Sequence, residues 1–407
     1  MNSATHRLFI AGTLALASLV TSTCQQSERT ELTLYRARRW LELREVVSPR
    51  SSALIRGVVA AAFNDPAHAE PLLRGVIREQ PLSPDADDAY ALLCDVYIMS
   101  GRYSTFVSTH REWGAAFPGS PRYREQQDRV ERFGGRPDQI DEPPRPMIVK
   151  HEPDAFTVPV TINGKTEDFF LDTGALHSVM TDLEARKLGL TVGNESRLMT
   201  GASGDSVRFR TAIAKDVIVG ATSFHNVSFA VMEPVGPWRD AEGGIVGLPL
   251  FLGLGAIRWS RDGSAELGQM TRTGAANETN LVLDRGRLLM KSEVLGEAVL
   301  MALDTGANTT DLNENFATQF KSVVGAAKRT TQDITGVGGT RTFDALELSE
   351  VAFTIGPKRV FLRPAKITLQ RVAAIGGECC VGNAGRDLLL QFPTVTIDLK
   401  TMTLRLQ

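Results

Sequence analysis

The chain has 407 residues, 43% of them apolar, and a formal net charge of −2 at pH 7. This is ordinary globular composition, enough for large cores and for two or three domains. No basic stripe stands out, so nucleic acid is not expected among the partners.

Residues 1–24, MNSATHRLFIAGTLALASLVTSTC, read as a secretory signal peptide. His6 and Arg7 give a basic start, Leu8 to Val20 an apolar run, and small residues lead to Cys24. The run is too short for a comfortable membrane span. The expected location is therefore outside the cytoplasm: periplasmic, anchored at the outer membrane, or secreted. Anchoring would use a lipid on Cys24, although Thr21 and Thr23 replace the leucine and the glycine or alanine usual in a bacterial lipobox. The lipidated and unlipidated forms both stay open.

Residues 25–136 carry apolar positions at spacings of three and four, as in LTLYRARRWLELREVV and SSALIRGVVAAAF, which predicts helices. Within this region Leu93, Tyr97, Gly101, Tyr103 and Pro121 stand near places favoured by a tetratricopeptide unit. Stacks of that kind need several units, and one is visible. The alternative is a small helical domain packed on its neighbour; either form offers a surface for a protein partner. Cys94 lies on an apolar helical face and reads as a buried thiol. Residues 137–153, rich in proline and charge, read as a linker.

From residue 154 the texture changes to strands. AFTVPVTINGKTEDFFLD alternates apolar residues about Asn163-Gly164, a hairpin signal. The run FFLDTGA then recurs as MALDTGA, with Asp172 and Asp304 separated by 132 positions (304 − 172). Glycine-rich TGASGD and TGVGGT follow in the same order, and each half closes on a hairpin-like pair, AIRWSRDGSAELG and TVTIDLKTMTLRL. This is an internal duplication, with lobes at 154–270 and 281–407 and a joint at 271–280.

Packed face to face, two such halves bring two carboxylates together. Two adjacent buried carboxyls share one proton, so one acts as base toward a water while the other donates to a carbonyl. Gly174 and Gly306 permit the tight turn and leave N–H groups free to face a carboxylate. Thr173 and Thr305 supply hydroxyls that can tie the two loops together.

Asp172-Thr173-Gly174-Ala175 and Asp304-Thr305-Gly306-Ala307 resemble the active-site motifs of retropepsin-like aspartic proteases, over about residues 156–406. The resemblance implies a mainly β, two-lobed pepsin/retropepsin-like acid-protease fold behind an N-terminal α-helical domain. It also implies flaps at Gly201-Ala202-Ser203-Gly204 and Gly336-Val337-Gly338-Gly339, closing over an extended peptide. Ile245-Val246-Gly247 and Cys380-Val381-Gly382 match in kind the apolar-apolar-glycine segment that supports each catalytic loop. Retroviral members build the site from two chains; here both copies lie in one, so a monomer suffices. The implied activity is peptide-bond hydrolysis by Asp172 and Asp304, with a peptide-binding module of low turnover as the alternative. No metal or cofactor is expected, because neither Cys/His ligand spacing nor an HExxH pattern occurs. Adjacent Cys379 and Cys380 read as two half-buried thiols or as a vicinal disulfide.

Overall fold

The computed structural model describes residues 29–152, 156–233, 243–268, 279–370 and 380–407. The leader with Cys24, most of the joint, and Cys379 lie outside the described residues.

The helical region runs through Trp40–Val46, Ala53–Ala62, Pro66–Glu79, Pro84–Met99, Tyr103–Ala116, Pro121–Glu125 and Gln127–Phe133. Its starts are written locally. The side chains of Ser52, Asp65, Ser83 and Ser120 each accept from the backbone N–H three residues on, satisfying a donor the helix cannot. Proline follows directly at Pro66, Pro84 and Pro121, where a missing N–H costs nothing. Between the two longest helices Gly101 turns at φ +67°, and a Cβ there would lie 2.6 Å from Gln139 Cβ.

Residues 137–153, expected as a linker, contribute two short exposed strands. Ile140–Asp141 pairs with Thr222–Met232, and Met147–Lys150 pairs with Ser264–Leu267. Proline and charge keep such segments at sheet edges rather than out of sheets altogether.

Both lobes use one motif. In lobe 1 the hairpin Thr157–Ile162/Lys165–Asp172 turns at Asn163 and Gly164, both at positive φ as a two-residue turn requires. It buries Val158, Val160, Ile162, Phe169 and Leu171. The strand ending at Asp172 lies parallel to Gly244–Gly247, with Asp172 opposite Gly247. Ser178–Thr181, which leaves the aspartate loop, pairs antiparallel on the other side of Gly244–Gly247. In lobe 2 Glu297–Leu303 and Asp311–Leu312 flank Gly382–Ala384 in the same way.

The register corrects one sequence expectation. Leu303 pairs with Ala384, so Asp304 stands beside Gly385, and the lobe 2 counterpart of Ile245-Val246-Gly247 is Asn383-Ala384-Gly385. Glycine contacts agree: a Cβ at Gly247 would meet His177 and Ala175 backbone, and one at Gly385 would meet Thr309 and Ala307 backbone. Cys380-Val381-Gly382 satisfies the same string three residues early, a distinction only strand pairing can make.

The closing hairpins of the lobes join. Ala256–Ser260 runs antiparallel to Thr394–Asp398 in a five-stranded sheet shared by both halves. The helical region spans this union. Its buried apolar side chains belong to one cluster that continues into both lobes. Arg38 pairs with Asp284 at 3.0 Å, and Asn64 Nδ2 donates to Leu399 O, both on lobe 2. On lobe 1, Arg197 donates to Gly134 O, and His177 stacks on Phe133 with centroids 4.6 Å apart.

Candidate active site

The two Asp-Thr-Gly loops meet at the centre of the molecule. Thr173 N donates to Thr305 Oγ1 and Thr305 N donates to Thr173 Oγ1, each at 3.1 Å. Thr173 Oγ1 donates onward to Leu303 O at 2.6 Å, and Thr305 Oγ1 donates to Leu171 O. Both threonines are buried. Each hydroxyl thus accepts from one loop and donates to the strand carrying it, leaving no polar atom of the crossing unpaired.

The glycines set how near the carboxyls approach. A Cβ at Gly174 would lie 2.5 Å from Asp304 Cγ, and one at Gly306 would collide with the Asp172 carboxyl in the same manner. Asp172 Oδ1 accepts from Gly174 N at 2.8 Å and Ala175 N at 3.1 Å. Asp304 Oδ1 accepts from Gly306 N and Ala307 N, both at 3.0 Å. Burial above all, and then the charge of Asp304, hold Asp172 well above the usual carboxylate range against the pull of the Gly174 and Ala175 N–H groups.

One difference breaks the symmetry. Asn383 Nδ2 donates to Asp304 Oδ2 at 2.7 Å, whereas apolar Ile245 occupies the matching place in lobe 1. Sequence reasoning passed over Asn383 because its alignment of the halves was three residues out of step there.

Above the loops stand two glycine hairpins. Residues 201–204 turn between Arg197–Thr200 and Ser206–Val219, and residues 337–338 turn between Lys328–Gly336 and Gly339–Leu348. The tips touch. A Cβ at Gly336 would lie 2.7 Å from Ala202 N, and one at Gly201 would lie 3.1 Å from Gly338 N. Ser203 is fully buried, with its hydroxyl donating to Asp205 Oδ2, and Val337 packs into the lobe 1 cluster around Met199. Beneath them lies a cavity of about 850 Å³ lined by Asp172, Asp304 and residues of both hairpins, a size suited to a peptide segment. Gly201, Ala202, Gly336 and Val337 reach its wall; Ser203, Gly204, Gly338 and Gly339 are not among its lining residues.

Two further lining groups stand out. His177 is half-buried, and neither of its solvent-shielded ring nitrogens has a hydrogen-bond partner among the described residues. Burial, then the charges of Arg136, Arg132 and Arg129, push it well below its ordinary value, so the ring is neutral. Asp311 is the second. Burial, helped by the negative charges of Asp387 and Asp304 and opposed by Lys366, pushes it up to about 7. A carboxyl raised in the folded state favours folding while neutral, below about pH 4, and loses that contribution as pH climbs toward 7. Asp311→Asn is therefore expected to gain on wild type by on the order of a few kcal/mol between about pH 4 and pH 8. Paired denaturant titrations read the difference, and a gap that does not change with pH would contradict it.

Comparison with known proteins finds similarity over part of the chain. Residues 158–250 match the family model described as aspartyl protease, so the chain is similar to that family across lobe 1. Among solved structures, the aspartic proteinase from Irpex lacteus is 14% identical, covering 64% of this chain and 96% of its own, at a TM-score of 0.42. A retropepsin-like aspartic protease from Rickettsia conorii is 20% identical, covering 31% of this chain and 93% of its own, at a TM-score of 0.24. No curated protein matches the chain.

Proposed function

We propose that the protein is an aspartic endopeptidase that hydrolyses peptide bonds with a water activated between Asp172 and Asp304. The observation that carries this reading is the reciprocal closeness of the loops, in which each glycine abuts the opposite carboxyl. Like charges so placed cannot both ionise cheaply, so the pair holds one proton over a broad range. Asn383 adds a donor to Asp304 alone, which leaves the shared proton on Asp172.

In the proposed reaction Asp304 takes a proton from water as its oxygen bonds to the scissile carbonyl carbon. Asp172 gives its proton to the carbonyl oxygen, forming a neutral gem-diol. Asp304 then gives its proton to the amide nitrogen while Asp172 takes one back from a hydroxyl of the gem-diol, and the C–N bond breaks to release acid and amine. The touching hairpins exclude solvent and hold an extended chain across the carboxyls. Both carboxyls belong to one chain, so no second copy is required. Threonine on both loops supports hydrolysis over mere binding, since a binder has no use for a locked pair of carboxyls.

The deciding experiment is incubation of the protein, leader removed, with a diverse peptide library from about pH 3 to about pH 8, with product masses locating the cuts. Internal cleavage at reproducible bonds is expected. Peptides retained but never cut at any pH would replace the enzyme with a binding module. An exported location is part of the proposal, with Cys24 lipidated or unlipidated; labelling cells with a radioactive fatty acid separates the two forms.

A further inference from the structure

The two sides of the cavity differ chemically. In lobe 1, Val179, Met199 and Ile245 reach its wall and pack behind it with Phe209, Ala230 and Met232. Strand register puts Asp311 and Asn383 of lobe 2 where Val179 and Ile245 stand in lobe 1. Val179 pairs with Ile245, and Asp311 pairs with Asn383, in matching antiparallel ladders. Both lobe 2 residues also reach the cavity. Behind them Gln332 Nε2 donates to Asp311 Oδ1 at 2.7 Å. Gln332 is 7% exposed, and its Oε1 has no hydrogen-bond partner among the described residues. Asp333, on the same hairpin strand, lines the cavity as well.

A carboxyl buried to this degree is costly unless a cation or several donors meet it. Asp311 is 8% exposed and receives one side-chain donor. Its charged neighbours are mostly of its own sign, Asp387 and Asp304, and Lys366 directs its Nζ to Thr331 O. Two arginines of the cavity are engaged elsewhere. Arg132 pairs with Asp128, and Arg386 lies over the Phe170 ring and donates to Asn308. Among the described residues no cationic side chain donates to Asp311, and the open side of the site is the cavity.

We propose that Asp311, Gln332 and Asn383 form a polar subsite that selects a lysine or arginine side chain of the peptide, facing an apolar subsite made by Val179, Met199 and Ile245. The inference rests on the reading of this cavity as the peptide cleft. An incoming ammonium or guanidinium supplies the counter-charge, and the free Gln332 oxygen supplies a second acceptor. An aliphatic side chain there strands the carboxyl without water, and an acidic one adds repulsion. Lobe 1 has the opposite preference, so the substrate is amphipathic across the scissile bond.

The test uses fluorescent hexapeptides with an uncleavable reduced-amide bond at the centre and lysine, norleucine or glutamate placed in turn at each of four central positions. Affinities are measured at neutral pH by anisotropy for wild type, Asp311→Asn and Asp311→Val. At one position lysine is expected to bind at least about tenfold tighter than norleucine, with glutamate weakest. Asp311→Asn should cut that preference to about twofold or less, and Asp311→Val should reverse it. Melting curves identify a variant that has not folded, and the near-isosteric asparagine then carries the comparison. Norleucine peptides binding as well as lysine peptides at every position, or a lysine preference unchanged in Asp311→Asn, would overturn the subsite. A preference that depends on Asp311, beside unmodified peptides that are never cut, overturns hydrolysis alone. No binding by any peptide overturns both.

Discussion

Asp172→Asn and Asp304→Asn are each expected to lower peptide cleavage by about a thousandfold or more, with the fold retained. In the proposed mechanism the two carboxyls have different tasks, one carrying the proton and one accepting it, and neither task survives as an amide. The amide oxygen still accepts from the loop N–H groups that now bind each carboxylate, so the loops should keep their shape. Stability supplies an independent check. Asp172 sits well above the usual carboxylate range, so its ionisation weighs on the folded protein as pH rises past about 4. The Asp172→Asn variant lacks that burden, and its melting temperature should equal or exceed that of wild type at neutral pH. The double variant should lose little more activity than either single one, because the residues act as a unit. Retention of a tenth of the wild-type rate by either single variant would rule out a mechanism that needs both.

The second large effect is structural. Thr305→Val keeps the shape of the side chain but removes one acceptor and one donor, stranding Thr173 N and Leu171 O in a buried crossing. Leaving such groups unsatisfied costs roughly 1–3 kcal/mol each, so a loss of roughly 2–5 kcal/mol is expected. Thr173→Val should cost a similar amount by stranding Thr305 N and Leu303 O. Because the lock fixes the distance between the carboxyls, cleavage should fall with stability. The two changes strand different groups, so the double variant should lose about the sum, and any departure from it measures the coupling between the loops. Urea titrations of the four proteins close that cycle, and a single-variant cost under about 0.5 kcal/mol would show that the hydroxyls are not what holds the loops.

The centre of the site was legible because a duplication repeats its own text. Asp-Thr-Gly-Ala appears twice behind an apolar run, and the threonines and glycines lie where that repetition implied. The hairpin at Asn163-Gly164 was readable for a simpler reason: two adjacent residues decide it. What failed to show were properties of pairing. Gly382 ends an apolar triplet and Gly385 ends Asn-Ala-Gly, and only the opposite strand tells that Gly385 stands beside Asp304. With that register goes the identity of Asn383 as a donor and of Asp311 as a residue of the cavity wall. Nor does any local signal announce that His177 meets Phe133, 44 residues earlier (177 − 133), or that two flaps touch at their tips.

The helical region grips both lobes at once, and this decides how a substrate gets in. Arg38 and Asn64 hold lobe 2, while Phe133 and the Gly134 carbonyl hold lobe 1. Opening the cleft by rocking one lobe away from the other would tear that brace and part the shared five-stranded sheet. The hairpin tips are joined more lightly, by Val337 against the Met199 cluster and by Arg341 to Ser203 O. On the proposed function, entry is expected through the roof, with the frame rigid and the two hairpins lifting and reseating around each peptide.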